Sequence, residues 1–349
     1  MLLTNERNRE TGTPPAFVSH VLVLGDSIAS AFRFGPAGGA LLKEIGALSG
    51  LAGECALVNA GFGGLKLMDT AGAARFLDFA TLGEAQALTD AKAIMGNFPA
   101  VDAAVISLGV NDLGQVEPAP GAIAGYDAAK AQAGLEALIG EIRVENGNNG
   151  YAGPTLPVIL LIPGRDLSTA TKGGAGQVWR RAALAVAAAD AHCHPLDYHD
   201  VDLADGVHPS AAGYMALGRR AGRLVAKHAH GAAVGGPPVI QSIARVDDVS
   251  LDITFTVPSG DRLLQASHPS GWRVENAATA EQLRIARLDW TAANQARLVL
   301  HDGCGGAFRL FAPWDLVEDY RPEGLIRTIE GSDLHGPGFV LQSFEGVTP

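Results

Sequence analysis

The sequence predicts an α/β protein built on a mainly parallel sheet, followed by a smaller all-β part. Three observations predict it. Branched apolar runs such as Val21-Leu22-Val23-Leu24 and Val158-Ile159-Leu160-Leu161-Ile162 alternate with Ala- and Leu-rich helical segments through the first two thirds of the chain. Strands alternating with helices form right-handed βαβ units, whose sheet is covered on both faces. At 231–238 the composition shifts to GAAVGGPP, a Gly/Pro-rich linker of the kind that separates domains. Beyond it the hydrophobic period becomes two: Val249, Leu251, Ile253, Phe255 and Val257 alternate with Ser250, Asp252, Thr254 and Thr256. That is the pattern of a half-buried strand.

Taken in order, residues 1–19 read as a polar arm with Arg7, Arg9 and Pro14-Pro15. The first strand, 20–24, ends abruptly in Gly25-Asp26-Ser27. A helix is predicted at 38–48, then a short strand at 56–59 that runs into Ala60-Gly61-Phe62-Gly63-Gly64. The Ala-rich stretch 68–95 reads as one or two helices, and a strand at 101–108 ends in Gly109-Val110-Asn111-Asp112. Leu135, Leu138, Ile139 and Ile142 form the apolar stripe of the next helix, which stops near Asn146-Gly147. A strand at 157–162, a helix at 177–190 and a less distinct strand near 191–196 follow. Ser210 is placed to cap the last helix, whose buried face is Tyr214, Leu217, Ala221, Leu224 and Val225.

The predicted organisation is therefore an arm (1–19), an α/β domain (20–230), a linker (231–238) and a β module (239–349). Within the module, strand-like runs at 272–274, 283–288, 296–300 and 307–311 are separated by turns such as Pro258-Ser259-Gly260 and Asp302-Gly303. A small sandwich is the simplest arrangement for them.

Composition excludes several classes of function. With 47% hydrophobic and 18% charged residues the chain is globular, not disordered. A net charge of -11 and the lack of any basic cluster argue against a nucleic-acid partner. The β module is acidic as well, with nine arginines and no lysine against 15 acids. Cys55, Cys193 and Cys304 are odd in number and far apart, which makes no disulfide framework. No run of about 18 apolar residues occurs, so no membrane span is expected, and the arm lacks a signal-peptide core. A cytoplasmic location, or export by a non-standard route such as within a phage-like particle, fits these features.

Four segments at strand ends or helix starts carry complementary chemistry: Gly25-Asp26-Ser27, 61–64, 109–112 and Asp205-Gly206-Val207-His208. A parallel sheet gathers such segments on one rim, where open α/β sheets place their sites. A serine hydroxyl is a weak nucleophile until a base takes its proton, and His208 can be that base for Ser27. Asp205, three residues earlier, can hold the imidazole tautomer and stabilise the imidazolium. Attack on an acyl carbon puts negative charge on oxygen. The Ser27 and Gly64 backbone amides and the Asn111 side-chain amide can receive that charge.

At these residues the sequence resembles the SGNH hydrolases, the GDSL family of esterases and lipases. The first block reads GDSI with Ser27, the second NAGFGG with Gly64, the third GVND with Asn111 and the last DGVHPS with Asp205 and His208. The resemblance spans roughly 20–228 and implies a flavodoxin-like three-layer α/β/α fold. It also implies metal-independent ester hydrolysis through an acyl-Ser27 intermediate, with no cofactor. The second block departs from the pattern, because Leu65-Lys66 stands where an Asp-Thr-like pair is usual, and Gly61, Gly63 and Gly64 all remain donor candidates.

The expected substrate is a small ester or an acetylated carbohydrate. Appended β modules accompany carbohydrate-acting members of the family, and an interfacial lipase's exposed apolar lid is missing. Lipid or aryl esters and thioesters are the alternatives within the family. The alternative of another class is a carbohydrate-binding or phage-like structural component with a vestigial site. Asp26 and Asp112 are expected to brace local backbone. Arg165 and Asp166, past the fourth strand, are candidates for a substrate loop. His192, Cys193, His194, His199, Asp200 and Asp202 crowd one region, but their spacing fits no zinc pattern and no metal is expected. Trp272, Trp290 and Trp314 are read as core of the β module, with a glycan platform as the alternative.

Overall fold

A computed structural model of the chain describes residues 19–98, 100–150, 153–163, 174–257, 263, 272–312 and 344–348. They fall into two compact units, one ending at Val234 and one beginning at Gly235, with Asp197–Asp200 grouped with the second.

The first unit opens with β1 (Ser19–Gly25), α1 (Ser27–Phe34), α2 (Pro36–Ser49) and β2 (Cys55–Gly61). Then come β3 (Lys66–Asp69), β4 (Arg75–Asp78), α3 (Gln86–Met95), β5 (Ala103–Ser107) and α4 (Ala128–Asn148). It closes with β6 (Val158–Ile162), α5 (Ala175–Ala189), β7 (Cys193–Asp197) and α6 (Ala211–His230). The main sheet has the order β2-β1-β5-β6-β7, and β1 pairs in parallel with both β2 and β5. Counted within the sheet this is 2-1-3-4-5, the flavodoxin-like order, whose crevice opens between the first and third strands. Here those strands are β1 and β5.

Alternation along the strands divides the core into two layers. Leu22 and Leu24 share one cluster with Val58, Ile106 and Leu160 and with Leu88 of α3, Leu135 of α4 and Trp179 of α5. Val21 and Val23 are equally buried and point to the other face, which α1, α2 and α6 cover. The helix ends follow local chemistry. Asp127 accepts from the Lys130 N–H at the start of α4, and Ser210 accepts from the Gly213 N–H at the start of α6. Gly231 ends α6 in the left-handed conformation.

The structure corrects three expectations. The stretch 68–95 is helical only over α3. Before it, Lys66–Asp69 and Arg75–Asp78 form a two-stranded parallel ribbon. Turn chemistry breaks the helix there: Gly72 has φ +86° and Leu82 φ +57°, and the Asp78 carboxylate accepts the Ala80 and Thr81 N–H groups. Ser27 begins a helix, α1, ahead of the first helix expected at 38–48. Tyr214 is only half-buried, unlike the rest of the α6 stripe.

Gly25 is required by its surroundings. Its φ is +139°, and a Cβ there would lie 1.8 Å from the Ser107 carbonyl oxygen of β5. Gly25→Ala is therefore expected to cost about 3 kcal/mol or more of stability, from backbone strain plus overlap. Urea unfolding measures it, and a loss below about 1 kcal/mol would contradict this account.

The second unit contains β8 (Val239–Asp247), β9 (Ser250–Thr256), β10 (Arg273–Asn276) and β11 (Gln282–Leu283). It continues with β12 (Ile285–Ala292), β13 (Gln295–Leu300), β14 (Phe308–Ala312) and β15 (Phe344–Thr348). They form two four-stranded sheets, β12-β13-β9-β8 and β11-β10-β14-β15, with antiparallel pairing throughout. Both sheets feed one core, in which Leu251, Phe255 and Leu298 meet Val274, Phe308 and Leu310. The strand expected at 283–288 is shared between β11 and β12, and β8 was not foreseen. Trp272 and Trp290 lie 6.5 and 5.6 Å from the Phe255 ring, centroid to centroid, and pack against that core. Trp314 lies outside the described residues. Among the described residues no helix is long and apolar enough to cross a membrane.

Candidate active site

The crevice between β1 and β5 receives the ends of both strands. Ser27 is the first residue of α1, directly after its N-cap Asp26. A first-turn N–H has no partner within its own helix. The Asp26 carboxylate takes the Ile28 N–H at 3.0 Å. Asp26 also accepts from the Ser107 hydroxyl of β5 at 3.3 Å, so a single carboxyl ties the turn that carries Ser27 to the neighbouring strand.

Ser27 Oγ lies 2.9 Å from His208 Nε2, and His208 Nδ1 lies 2.9 Å from Asp205 Oδ2. The three side chains thus form a continuous relay across 181 residues of sequence. The loop that carries two of them is closed on itself. Leu203 bridges Pro209, the Ala204 N–H donates to the His208 carbonyl, and the Ser210 N–H donates to the Asp202 carbonyl. The other Asp205 oxygen accepts the Val207 and His208 backbone N–H groups at 2.8 and 2.7 Å. Those bonds, the His208 N–H first, hold the Asp205 carboxyl down to about 2. It is ionised at every ordinary working pH, although its side chain is 60% exposed.

The second and third segments are tied together behind the serine. Asn111 Nδ2 donates to the Leu65 carbonyl at 2.9 Å. Asp112 accepts the Leu67 N–H at 3.0 Å and the Tyr126 hydroxyl at 2.8 Å. The brace expected of Asp112 is therefore long-range, across 45 residues, and Asp26 braces both its own turn and Ser107 of β5. Gly61 has its N–H engaged by the Asn59 side-chain oxygen at 3.0 Å, and the Asn59 amide in turn donates to the Ala29 carbonyl of α1. Gly63 and Gly64 are exposed. Gly64 adopts φ +79°, a conformation that favours glycine. Asn59 and Tyr126 were not singled out in the sequence. An Asn two residues before a glycine is a faint signal of a side-chain-closed turn, while Tyr126 carried none.

Asp26 and Asp112 are fully buried. Burial is the main cause that raises their carboxyls, to about 7 for Asp26 and about 6 for Asp112, and each outweighs the hydrogen bonds that pull the other way. Asp26 Oδ2 is buried without a hydrogen-bond partner. Because folding raises the Asp26 carboxyl above its ordinary 3.8, its contribution to stability is full below about pH 4 and is lost as pH rises through 7. Asparagine keeps the cap and resembles the neutral acid. Asp26→Asn is thus expected to match the wild type at about pH 3.5 and to gain about 1–3 kcal/mol over it at pH 8. Urea melts at the two pH values check this, and an equal loss at both would contradict the buried-charge account.

Arg165 and Asp166 lie outside the described residues. The histidine-rich region is dispersed: Cys193 is buried, with its thiol pushed up to about 12 by burial, and His194 stacks on His228 at 3.4 Å. Among the described residues no three His, Cys, Asp or Glu side chains converge as a metal set.

Residues 23–216 match the GDSL-like lipase/acylhydrolase family. The chain belongs to that family, and its first unit has the fold of an SGNH hydrolase. Among solved structures it is similar to a carbohydrate acetylesterase from Xanthomonas citri, with 16% identity and a TM-score of 0.63. That match covers 89% of this chain and 64% of the other, so this chain spans somewhat under two thirds of that protein's length. A carbohydrate acetylesterase family member from Sinorhizobium meliloti matches at 18% identity and a TM-score of 0.43, over 61% of this chain and 99% of that one. The aryl esterase of M. smegmatis matches at 15% identity and a TM-score of 0.43, over 60% and 99% of the two chains. No curated protein matches the sequence significantly.

Proposed function

We propose that the protein is a serine esterase that removes acetyl groups from carbohydrate, with Ser27 as nucleophile. The observation that carries this reading is the Ser27–His208–Asp205 relay, with both contacts at 2.9 Å. His208 Nε2 takes the Ser27 proton as Oγ attacks the ester carbon, and Asp205 on Nδ1 holds the tautomer and stabilises the imidazolium. The oxyanion is received by the Ser27 N–H, by the second N–H of the Asn111 amide and by the Gly64 N–H. Gly61 is a poorer donor candidate, because its N–H is already engaged by Asn59. His208 then protonates the departing sugar oxygen. Water, activated by the same imidazole, releases acetate from Ser27. No cofactor enters any of these steps.

The choice of an acetylated sugar rests on the family's carbohydrate-acting members with appended β modules. The likeness in fold to a carbohydrate acetylesterase over 89% of the chain is in keeping with it. The test is a series of nitrophenyl esters from acetate to decanoate, followed by acetate release from acetylated polysaccharides. Preference for acetate together with release from the polymer supports the reading. Preference for long acyl chains, or no release, overturns the substrate class. Activity should also fall in acid as the general base gains a proton, and not through Asp205, which is held down to about 2 and stays ionised. A rate profile flat down to about pH 4 contradicts the base assigned to His208.

A further inference from the structure

The segment 61–65, which carries the proposed donor Gly64, hangs between two asparagines on different elements. At its far end Asn111 Nδ2 donates to the Leu65 carbonyl at 2.9 Å. At its near end stands Asn59 of β2, opposite Val23 of β1. One planar amide offers an acceptor and a donor together, and Asn59 uses both. Its oxygen accepts the Gly61 N–H at 3.0 Å. Its Nδ2 donates at 2.9 Å to the carbonyl of Ala29, the third residue of the helix that Ser27 begins. Two further contacts close the same seam. The Phe62 N–H donates to the Gly25 carbonyl at 3.0 Å. A Cβ at Gly61 would lie 2.5 Å from the Ser30 nitrogen, so the strand end rests directly on the backbone of α1. Between the anchors, the Gly63 and Gly64 N–H groups have no hydrogen-bond partner among the described residues. A Cβ at either would meet nothing within 4 Å.

We propose that Asn59 is a positioning residue, which by gripping Gly61 and Ala29 at once fixes the oxyanion loop relative to Ser27. The inference rests on the esterase reading above and deepens it. An oxyanion donor acts only when held about 2.7–3.1 Å from the developing charge, and a misplacement of about 1 Å can cost on the order of 100-fold. Within the loop the Leu65 N–H reaches the Phe62 carbonyl only at 3.5 Å, so the anchors set its place. The same grip occupies the Gly61 N–H and leaves the Gly64 N–H to meet the oxyanion. No other small side chain does both. Aspartate accepts from Gly61 but sets a carboxylate against the Ala29 carbonyl, and alanine leaves the buried Gly61 N–H without its partner.

The test compares Asn59→Ala and Asn59→Asp with the wild type, in the full chain and well below each thermal midpoint. On nitrophenyl acetate, Asn59→Ala should lower kcat about 10- to 100-fold and leave KM within about twofold. Affinity for phenylboronic acid, which forms a tetrahedral adduct on a serine, should fall by a similar factor. The acid limb of the rate profile should stay where it is, because Asn59 touches neither His208 nor Asp205. A role in stability alone predicts a lower thermal midpoint with kcat and boronate affinity within about threefold of wild type, and that result overturns the proposal. So does a displaced acid limb, which would put the damage in the relay. Should the alanine variant not fold, Asn59→Asp decides: it keeps the bond to Gly61 and loses the one to Ala29, and an unchanged kcat there overturns the role. Ser27→Ala runs beside them. Turnover that survives it removes the esterase reading, whereas Ser27-dependent turnover indifferent to Asn59 removes only the positioning role.

Discussion

Ser27→Ala is expected to lower kcat/KM on nitrophenyl acetate by about ten-thousand-fold or more, and to abolish labelling by a fluorophosphonate probe. In the proposed mechanism the Ser27 hydroxyl is the group to be acylated, and alanine leaves the proposed base and oxyanion donors with nothing to activate. His208→Ala should cost nearly as much, since an unassisted serine is a weak nucleophile. The double variant should be no worse than either single one, because the residues act as a unit. Neither side chain belongs to the buried core, and His208 is 39% exposed, so both variants should fold with little change in thermal midpoint. Residual turnover above about one per cent in Ser27→Ala would place the nucleophile elsewhere.

Asn111→Ala is the second large effect. Removing one oxyanion donor should lower kcat about 100- to 1000-fold while KM stays within about twofold, since the lost interaction strengthens only in the transition state. Asn111 also donates to the Leu65 carbonyl at 2.9 Å, so a purely structural role must be separated from a catalytic one. A structural role predicts a lowered thermal midpoint and a raised KM. The oxyanion role predicts a kcat loss in a chain of near-normal stability. A kcat within about fivefold of wild type would remove Asn111 from the proposed mechanism.

The sheet strands were legible because buried parallel strands are short continuous apolar runs, and Val21–Leu24 and Val158–Ile162 are both of that kind. The site segments were legible for a related reason. A parallel sheet sends all its strand ends to one rim, so Gly25-Asp26-Ser27 and 109–112 had to lie near each other once β1 and β5 were neighbours. The α6 cap at Ser210 was legible from residue type alone, since its oxygen satisfies an N–H three residues on.

Other features had no local signature. Alanine content made 68–95 look helical, but the parallel pairing of β3 with β4 and the Asp78 turn overrode propensity. The burial of Asp26 and its shift to about 7 depend on strands and helices that close over it from distant parts of the chain. Likewise, the sequence could offer Gly61, Gly63 and Gly64 only as equals. Their difference appears once Asn59 takes the Gly61 N–H. By itself the sequence determined the family and the order of the α/β elements and singled out the four segments of the candidate site, because these are written in residue types and short spacings. Only the tertiary structure decided which hydrogen-bonding groups are already engaged and which carboxyls are desolvated. Those properties belong to the space between elements, and no single segment encodes them.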